Sequence, residues 1–353
     1  MFKYYSILLF LLILAGCKKT QLTDDVRREM DRLYNSSIPY LNVKQDSALL
    51  YLDSLEMLLD KEYDDEFYTK NLIFRANIAF GREEYGLADS IHNALKNQFE
   101  NYENPELEAY TYLARANQFE QQDKHLDASY LYEDVLNLID TTFRNHQIFE
   151  AVTLQNSGLC YKNLYELDKA YQYLIKADSI YESVGTNKRR FNVYNNLGIM
   201  FRTNRQYDKA KKYHSKALEI AHIDGTKNVS RSLYNIALIY QNEEKCDSAL
   251  ILLDSIIANP HLSKRKNLLL THLLSFRCQL DNGDISTAMQ HLDSYKKMVI
   301  QKAVPPNEDI DALWFFLKGR DHGQARIKNM SKEEKALMVS KLEKWLDLEI
   351  DQD

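Results

Sequence analysis

Three asparagines recur at a nearly constant interval, and their amides could bind a peptide backbone. Asn156, Asn196 and Asn235 are separated by 40 and 39 residues. An asparagine amide both donates and accepts hydrogen bonds, so a stacked series could hold an extended chain by its main-chain groups. The alternative is structural, with each amide bonded to a neighbouring loop. Nearby polar side chains extend the candidate site: Gln155, Asn195, Arg202, Gln241 and Asn163.

The sequence lacks the residue patterns typical of enzymes. Its nine histidines include no pair four residues apart and no His-Glu-x-x-His zinc motif. It also has no glycine-rich phosphate loop, Gly-x-Ser-x-Gly elbow or Cys-x-x-Cys pair. We therefore predict a chain that is not an enzyme, with no metal site, no cofactor and no small-molecule substrate.

The N-terminus predicts export and lipid attachment. Lys3 precedes a short apolar run at residues 7–14, which leads into Ala15, Gly16 and Cys17. This run is shorter than the roughly 20 residues of a membrane-spanning helix, and its flanks are typical of an export signal. The Leu-Ala-Gly-Cys tetrapeptide ending at Cys17 resembles the lipobox of bacterial lipoproteins, whose cysteine carries a diacylglycerol. The alternative is an ordinary secretory signal with a coincidental cysteine.

These features predict a signal peptide at residues 1–16 and a short tether at 17–24. The mature chain is then lipid-anchored at Cys17 in the bacterial cell envelope. The outer membrane is favoured because Lys18-Lys19-Thr20 lacks the aspartate associated with inner-membrane retention. Whether the chain lies on the periplasmic or the surface face stays open.

Composition narrows the range of partners. The chain has 45 Lys and Arg against 51 Asp and Glu, a formal net charge of −6. This acidity disfavours nucleic acid as a partner and offers no basic patch for an anionic membrane surface. Three cysteines follow Cys17, and a sparse, odd set does not predict a disulfide framework. A bridge between Cys246 and Cys278 remains open.

Seven alanines divide most of the chain into units of similar length. They recur at intervals of 39 to 42 residues: Ala48, Ala88, Ala128, Ala170, Ala210, Ala249 and Ala288. A fixed period in this range predicts stacked helix pairs. Gly158 and Gly198 lie twelve residues before Ala170 and Ala210, which predicts close packing between the two helices of each pair.

Two copies of the unit are clear enough to suggest a family. Leu197-Gly198 followed by Tyr207-Asp208-Lys209-Ala210 repeats the form of the copy around Gly158 and Ala170. The pattern resembles the tetratricopeptide repeat (TPR) family in its long-unit form, including exported Bacteroidetes-type TPR proteins. The resemblance implies an all-α, right-handed superhelical solenoid of antiparallel helix pairs, about seven repeats over residues 25–300. It also implies a concave groove lined by the first helices, toward which Asn156, Asn196 and Asn235 point.

The segment after residue 300 breaks the repeat. Ser331-Lys332-Glu333-Glu334 has the form of a capping box and opens an amphipathic pattern. We predict that residues 301–353 form C-terminal capping helices that cover the last repeat, because a solenoid needs such an element. A helix that docks a partner is the alternative.

The sequence thus predicts a non-catalytic, lipid-anchored TPR adaptor that binds an envelope protein or an extended peptide in its concave groove. A second hypothesis is a sensory or regulatory lipoprotein that passes a ligand signal to a separate membrane partner. A third is nutrient binding, as in TPR-based starch-utilisation lipoproteins, but those are much longer. The identity of the partner and the oligomeric state cannot be read from the sequence.

Overall fold

The computed structural model describes residues 24–41, 43–59, 64–99, 103–140, 142–143, 145–225, 228–300 and 331. Within them the chain forms fourteen α-helices and no strand, which confirms the predicted all-α class. The helices are α1 Asp24–Ser37, α2 Gln45–Leu59, α3 Asp65–Gly81, α4 Tyr85–Phe99, α5 Pro105–Gln121, α6 His125–Leu138, α7 His146–Asn163, α8 Leu167–Ser183, α9 Asn187–Thr203, α10 Tyr207–Ile223, α11 Asn228–Asn242, α12 Cys246–Ala258, α13 Arg265–Asp281 and α14 Ile285–Ile300. Short 3-10 helices follow α1 and α12, at Ile38–Tyr40 and Pro260–Leu262.

Consecutive helices pack as pairs, from α1 with α2 to α13 with α14. Each of the seven periodic alanines lies in the second helix of a pair and is at most 2% exposed. A small side chain at this point lets the helix axes approach closely. The period therefore marks a packing position, as predicted.

Two glycines on first helices show how close this approach is. A Cβ added to Gly158 of α7 would lie 2.7 Å from Leu174 Cγ on α8. A Cβ added to Gly198 of α9 would lie 2.5 Å from the His214 ring on α10. Neither position has room for a methyl group, which confirms the predicted close packing between paired helices.

From α3 and α4 onward, the turn inside each pair follows one pattern. Arg205, which follows α9, has φ of 57°, and the N–H of Gln206 then donates to the carbonyl of Phe201 at 2.9 Å. This six-residue closure satisfies a carbonyl at the helix end. The turn after α7 is the same: Tyr165 has φ of 62° and Glu166 donates to Tyr161 at 2.9 Å.

By its internal contacts the chain divides into two compact units, residues 1–146 and 147–353. In the first unit, α1 to α3 share an apolar cluster that includes Met30, Leu55 and Phe67. The α1 helix ends at Ser37 and a 3-10 turn containing Pro39 follows, since proline lacks the N–H that would continue the helix.

The second unit contains α7 to α14 and is built around similar clusters. One of them joins α11, α12 and α13 through Ala237, Leu253 and Leu274. Gly185 and Gly225 follow α8 and α10 with φ of 70° and 59°, a conformation that glycine adopts without strain. Both glycines thus mark the ends of second helices.

Several predictions fall outside the described residues: the signal peptide at 1–16, Cys17 and most of the tether, and all of the 301–353 segment except Ser331. Among the residues that the structure does describe, no helix combines the length and the apolar character needed to cross a bilayer.

Candidate functional site

The predicted binding residues of the second unit lie on the first helices of its pairs. We use the term first-helix surface for the side chains of α7, α9, α11 and α13 that are not fully buried. Asn156 lies on α7, Asn196 on α9 and Asn235 on α11, and each is half-buried. The structure therefore places all three on this surface, one per pair.

A side-chain hydrogen bond joins two neighbouring first helices. Asn235 Nδ2 on α11 donates to Asn195 Oδ1 on α9 at 2.8 Å. Successive residues on a helix point about 100° apart, so only one of Asn195 and Asn196 can face the adjacent helix. Asn195, which is 1% exposed, takes that place. The Asn195–Asn235 bond is therefore structural, and ligand binding by the series Asn156, Asn196 and Asn235 stays a prediction.

The remaining asparagines have different surroundings. Asn196 makes no hydrogen bond within the described part of the chain, so its amide is available to a ligand. Asn156 and Asn163 on α7 both have partners within the chain. Of the candidate amides, Asn196 has the clearest capacity for external binding.

Three of the predicted side chains carry buried polar atoms without a partner among the described residues. These atoms are Gln155 Oε1, Asn195 Nδ2 and Arg202 Nε. A buried group left without a hydrogen bond costs about 1–3 kcal/mol. Two of these atoms, Gln155 Oε1 and Arg202 Nε, belong to half-buried side chains of the first-helix surface, where a ligand could supply the missing hydrogen bonds.

Gln241 has a structural role at the far end of α11. With its amide oriented to suit its neighbours, the side-chain oxygen accepts from Arg277 Nε at 3.1 Å and the nitrogen donates to Asn242 Oδ1 at 3.1 Å. Gln241 is only 7% exposed. It borders an open, polar cavity of about 490 Å³ that Cys246 and Asp281 also line.

The two cysteines considered for a bridge are free. Cys246 and Cys278 are buried in the same apolar cluster of α11 to α13, and no disulfide joins them. A hydrogen bond between the two thiols lowers the pKa of Cys246 and raises the pKa of Cys278. Among the described residues there is also no group of three or more side chains suited to a metal ion.

Two arginines near α10, Arg202 and Arg231, have no acidic partner among the described residues. Burial lowers the pKa of His214 to about 4, and the positive charges of Arg202 and Arg231 lower it further. Both guanidinium groups are therefore close enough for their fields to reach this ring. Neither one forms an ion pair or hydrogen bond within the residues described. By contrast, Arg190 binds Asp178 through Nε at 3.0 Å.

Charge separates the first helices of this unit from the second helices. The first helices carry nine Lys or Arg and two acids, whereas the second helices carry eight of each. The two acids are Glu150 and Asp281. Neither α9 nor α11 contains any acid. The net acidity of the whole chain conceals this local excess of positive charge, which composition alone did not reveal.

A comparison with protein families supports the helix-pair repeat seen in the structure. The tetratricopeptide repeat model matches residues 189–259, which begin in α9 and end just after α12. The chain contains a tetratricopeptide repeat. No curated protein matches the sequence.

Solved structures show the same repeat fold over most of the chain. The apo form of RapI is 14% identical over 86% of this chain and 84% of its own, with a TM-score of 0.68. The apo quorum sensor NprR from B. thuringiensis is 14% identical over 83% and 80%, with a TM-score of 0.56. A Rap protein complexed with Competence and Sporulation Factor is 13% identical over 92% of each chain, with a TM-score of 0.51.

Sequence reasoning missed His214, which is fully buried and packs against Gly198. No spacing rule connects the two residues. It also missed the positive first helices, although the absence of acids between residues 187 and 203 was visible in the sequence.

Proposed function

We propose that this chain is a non-catalytic adaptor that binds a protein or an extended peptide on the first-helix surface of residues 147–300. The observation that carries the proposal is the set of polar groups that the fold leaves unused there, namely Asn196, Arg202 and Arg231. Main-chain groups of an extended ligand can satisfy an asparagine amide in both directions. The Rap protein in complex with a factor supports the idea that this fold can hold such a ligand.

The location is part of the same proposal. The lipobox-like tetrapeptide ending at Cys17 supports a lipid anchor for the mature chain in the bacterial cell envelope, with the outer membrane favoured. The partner is then another envelope protein or a peptide released into that compartment.

A sensory role is the second candidate, and the likeness to a quorum sensor favours it. In that case ligand binding alters the interaction of this lipoprotein with a separate membrane partner. A sensory role requires that peptide binding change the affinity for a second protein. An adaptor role does not require this coupling.

The test is capture of partners by crosslinking in intact envelopes, with the wild type and the variant Asn196→Ala. Each net hydrogen bond contributes about 0.5–1.5 kcal/mol, so this change should weaken binding by roughly twofold to tenfold. Thermal melting must show that the variant is folded. A folded variant that captures the same partners equally well would refute the first-helix surface as the binding site.

A further inference from the structure

Within the proposed function, we infer that the ligand of this surface is an acidic extended peptide whose carboxylates pair with Arg202 and Arg231. The inference rests on the first-helix surface being the binding site. It adds the charge of the ligand and the positions of its acidic residues.

The first argument is the missing counter-charge. Arg202 is half-buried and its Nε atom is shielded from solvent without a partner among the described residues. Arg231 is solvent-exposed, yet the surrounding protein desolvates it enough to lower its pKa. A cation in partly desolvated surroundings gains more from an opposite charge than one in bulk water does. A carboxylate supplies that charge, and its two oxygens match the guanidinium geometry in a bidentate hydrogen-bonded pair.

The second argument is the position of the two arginines relative to the structural amide pair. Arg231 lies four residues before Asn235, and Arg202 lies seven residues after Asn195. Both intervals return to the same face of a helix. The bond between Asn235 and Asn195 fixes these two faces against each other. Arg202 and Arg231 therefore belong to one continuous surface of α9 and α11.

The rise of a helix per residue indicates how far apart the two acidic residues of the peptide should lie. At about 1.5 Å per residue, Arg231 lies roughly 6 Å along the axis on one side of the amide pair, and Arg202 roughly 10 Å on the other. The resulting separation along the axis is about 16 Å. An extended peptide covers it in about five residues. The two acids should thus fall within a window of about six residues.

The experiment is selection from a displayed library of random dodecapeptides on the full chain. The wild type should enrich peptides that carry at least two Asp or Glu within six residues. For a synthetic copy of an enriched peptide, the double variant Arg202→Gln, Arg231→Gln should raise the Kd by about tenfold to a hundredfold. The matched control is Lys209→Gln, Lys212→Gln, which removes the same charge from exposed positions of α10 and should leave the Kd unchanged.

Each result bears on one proposal or on both. Enriched peptides that lack acids but still lose binding with Asn196→Ala would refute the acidic ligand and leave the binding surface intact. Equal losses in the Arg and Lys double variants would show a general charge effect and overturn the inference. Tighter binding of a labelled single-stranded oligonucleotide than of the acidic peptides would also overturn it. Failure to enrich any peptide would count against the proposed function itself. Conversely, Arg202→Glu, Arg231→Glu should select basic peptides if the inference holds.

Discussion

Asn235 and Asn195 are bonded side chain to side chain across neighbouring first helices, with 2.8 Å between Nδ2 and Oδ1. The adjacent Asn196 makes no hydrogen bond within the described residues. Two consecutive amides on α9 therefore have separable roles, one in packing and one on the surface. This pair allows binding to be tested independently of stability.

We expect Asn195→Ala to lower stability and Asn196→Ala to leave it unchanged. Removing Asn195 deprives the half-buried Asn235 amide of its acceptor, which should cost about 1–3 kcal/mol. Removing Asn196 breaks no internal bond but should weaken ligand binding. Urea denaturation and peptide binding, measured on both variants, check this. Equal stability losses in the two would mean that Asn196 also has a packing role.

Gly198→Ala should destabilise the chain because the new methyl group would lie 2.5 Å from two atoms of the His214 ring. Overpacking of this kind typically costs about 1–3 kcal/mol. The matched control is Gly86→Ala, since a Cβ at Gly86 on α4 meets nothing within 4 Å. There alanine should stabilise the helix by up to about 1 kcal/mol. Thermal melts that shift in the same direction for both would contradict the packing argument.

The packing at Gly198 and the bonding of Asn235 show which features of the structure the sequence can predict and which it cannot. The positions of Ala170, Ala210 and Gly198 were predictable because a close helix contact admits only a small residue, and the repeat displays that restriction several times. The hydrogen-bond partner of Asn235 could not be predicted. Neighbouring residues on a helix point about 100° apart, and the repeat period does not show which of them faces the adjacent helix. The partner of Gly198 was not predictable either, since His214 has no counterpart that recurs with the repeat.

Tyr165→Gly should stabilise the turn between α7 and α8. Tyr165 is 86% exposed and has φ of 62°, a left-handed conformation that costs a non-glycine residue about 1–2 kcal/mol. Glycine removes that cost but loses more chain entropy on folding, so the net gain should be at most about 1 kcal/mol. Gly225→Ala, with φ of 59°, should show the opposite sign. Differential scanning calorimetry distinguishes the two, and a lower Tm for Tyr165→Gly would refute the account.

Stability should fall as pH drops from about 6.5 to about 4. Burial lowers the pKa of His214 to about 4 in the folded chain, so the unfolded chain takes up a proton first as pH falls. At pH 5 this linkage is worth about 2 kcal/mol relative to neutral pH. His214→Gln should flatten the profile of unfolding free energy against pH, whereas His222→Gln, at an exposed position, should not. Parallel profiles for wild type and His214→Gln would show that other groups control acid unfolding.

Cys17→Ala should abolish lipid attachment if the lipobox prediction is correct. The precursor should remain uncleaved or be mislocalised, and labelled palmitate should no longer be incorporated. Ala15→Ser serves as a control that keeps the acceptor thiol. A Cys17→Ala chain that still matures and partitions into detergent would contradict the prediction.

The packing of consecutive helices also determines how this chain acquires its structure. Because α9 contacts mainly its chain neighbours α8 and α10, nearly every tertiary contact in the second unit joins residues less than about one repeat apart in sequence. Loop closure then costs little entropy at any step, and topologies of this kind fold fast. A helix pair can nucleate the structure and its neighbours can add in turn. During synthesis, each completed pair can begin to pack before the next has left the ribosome.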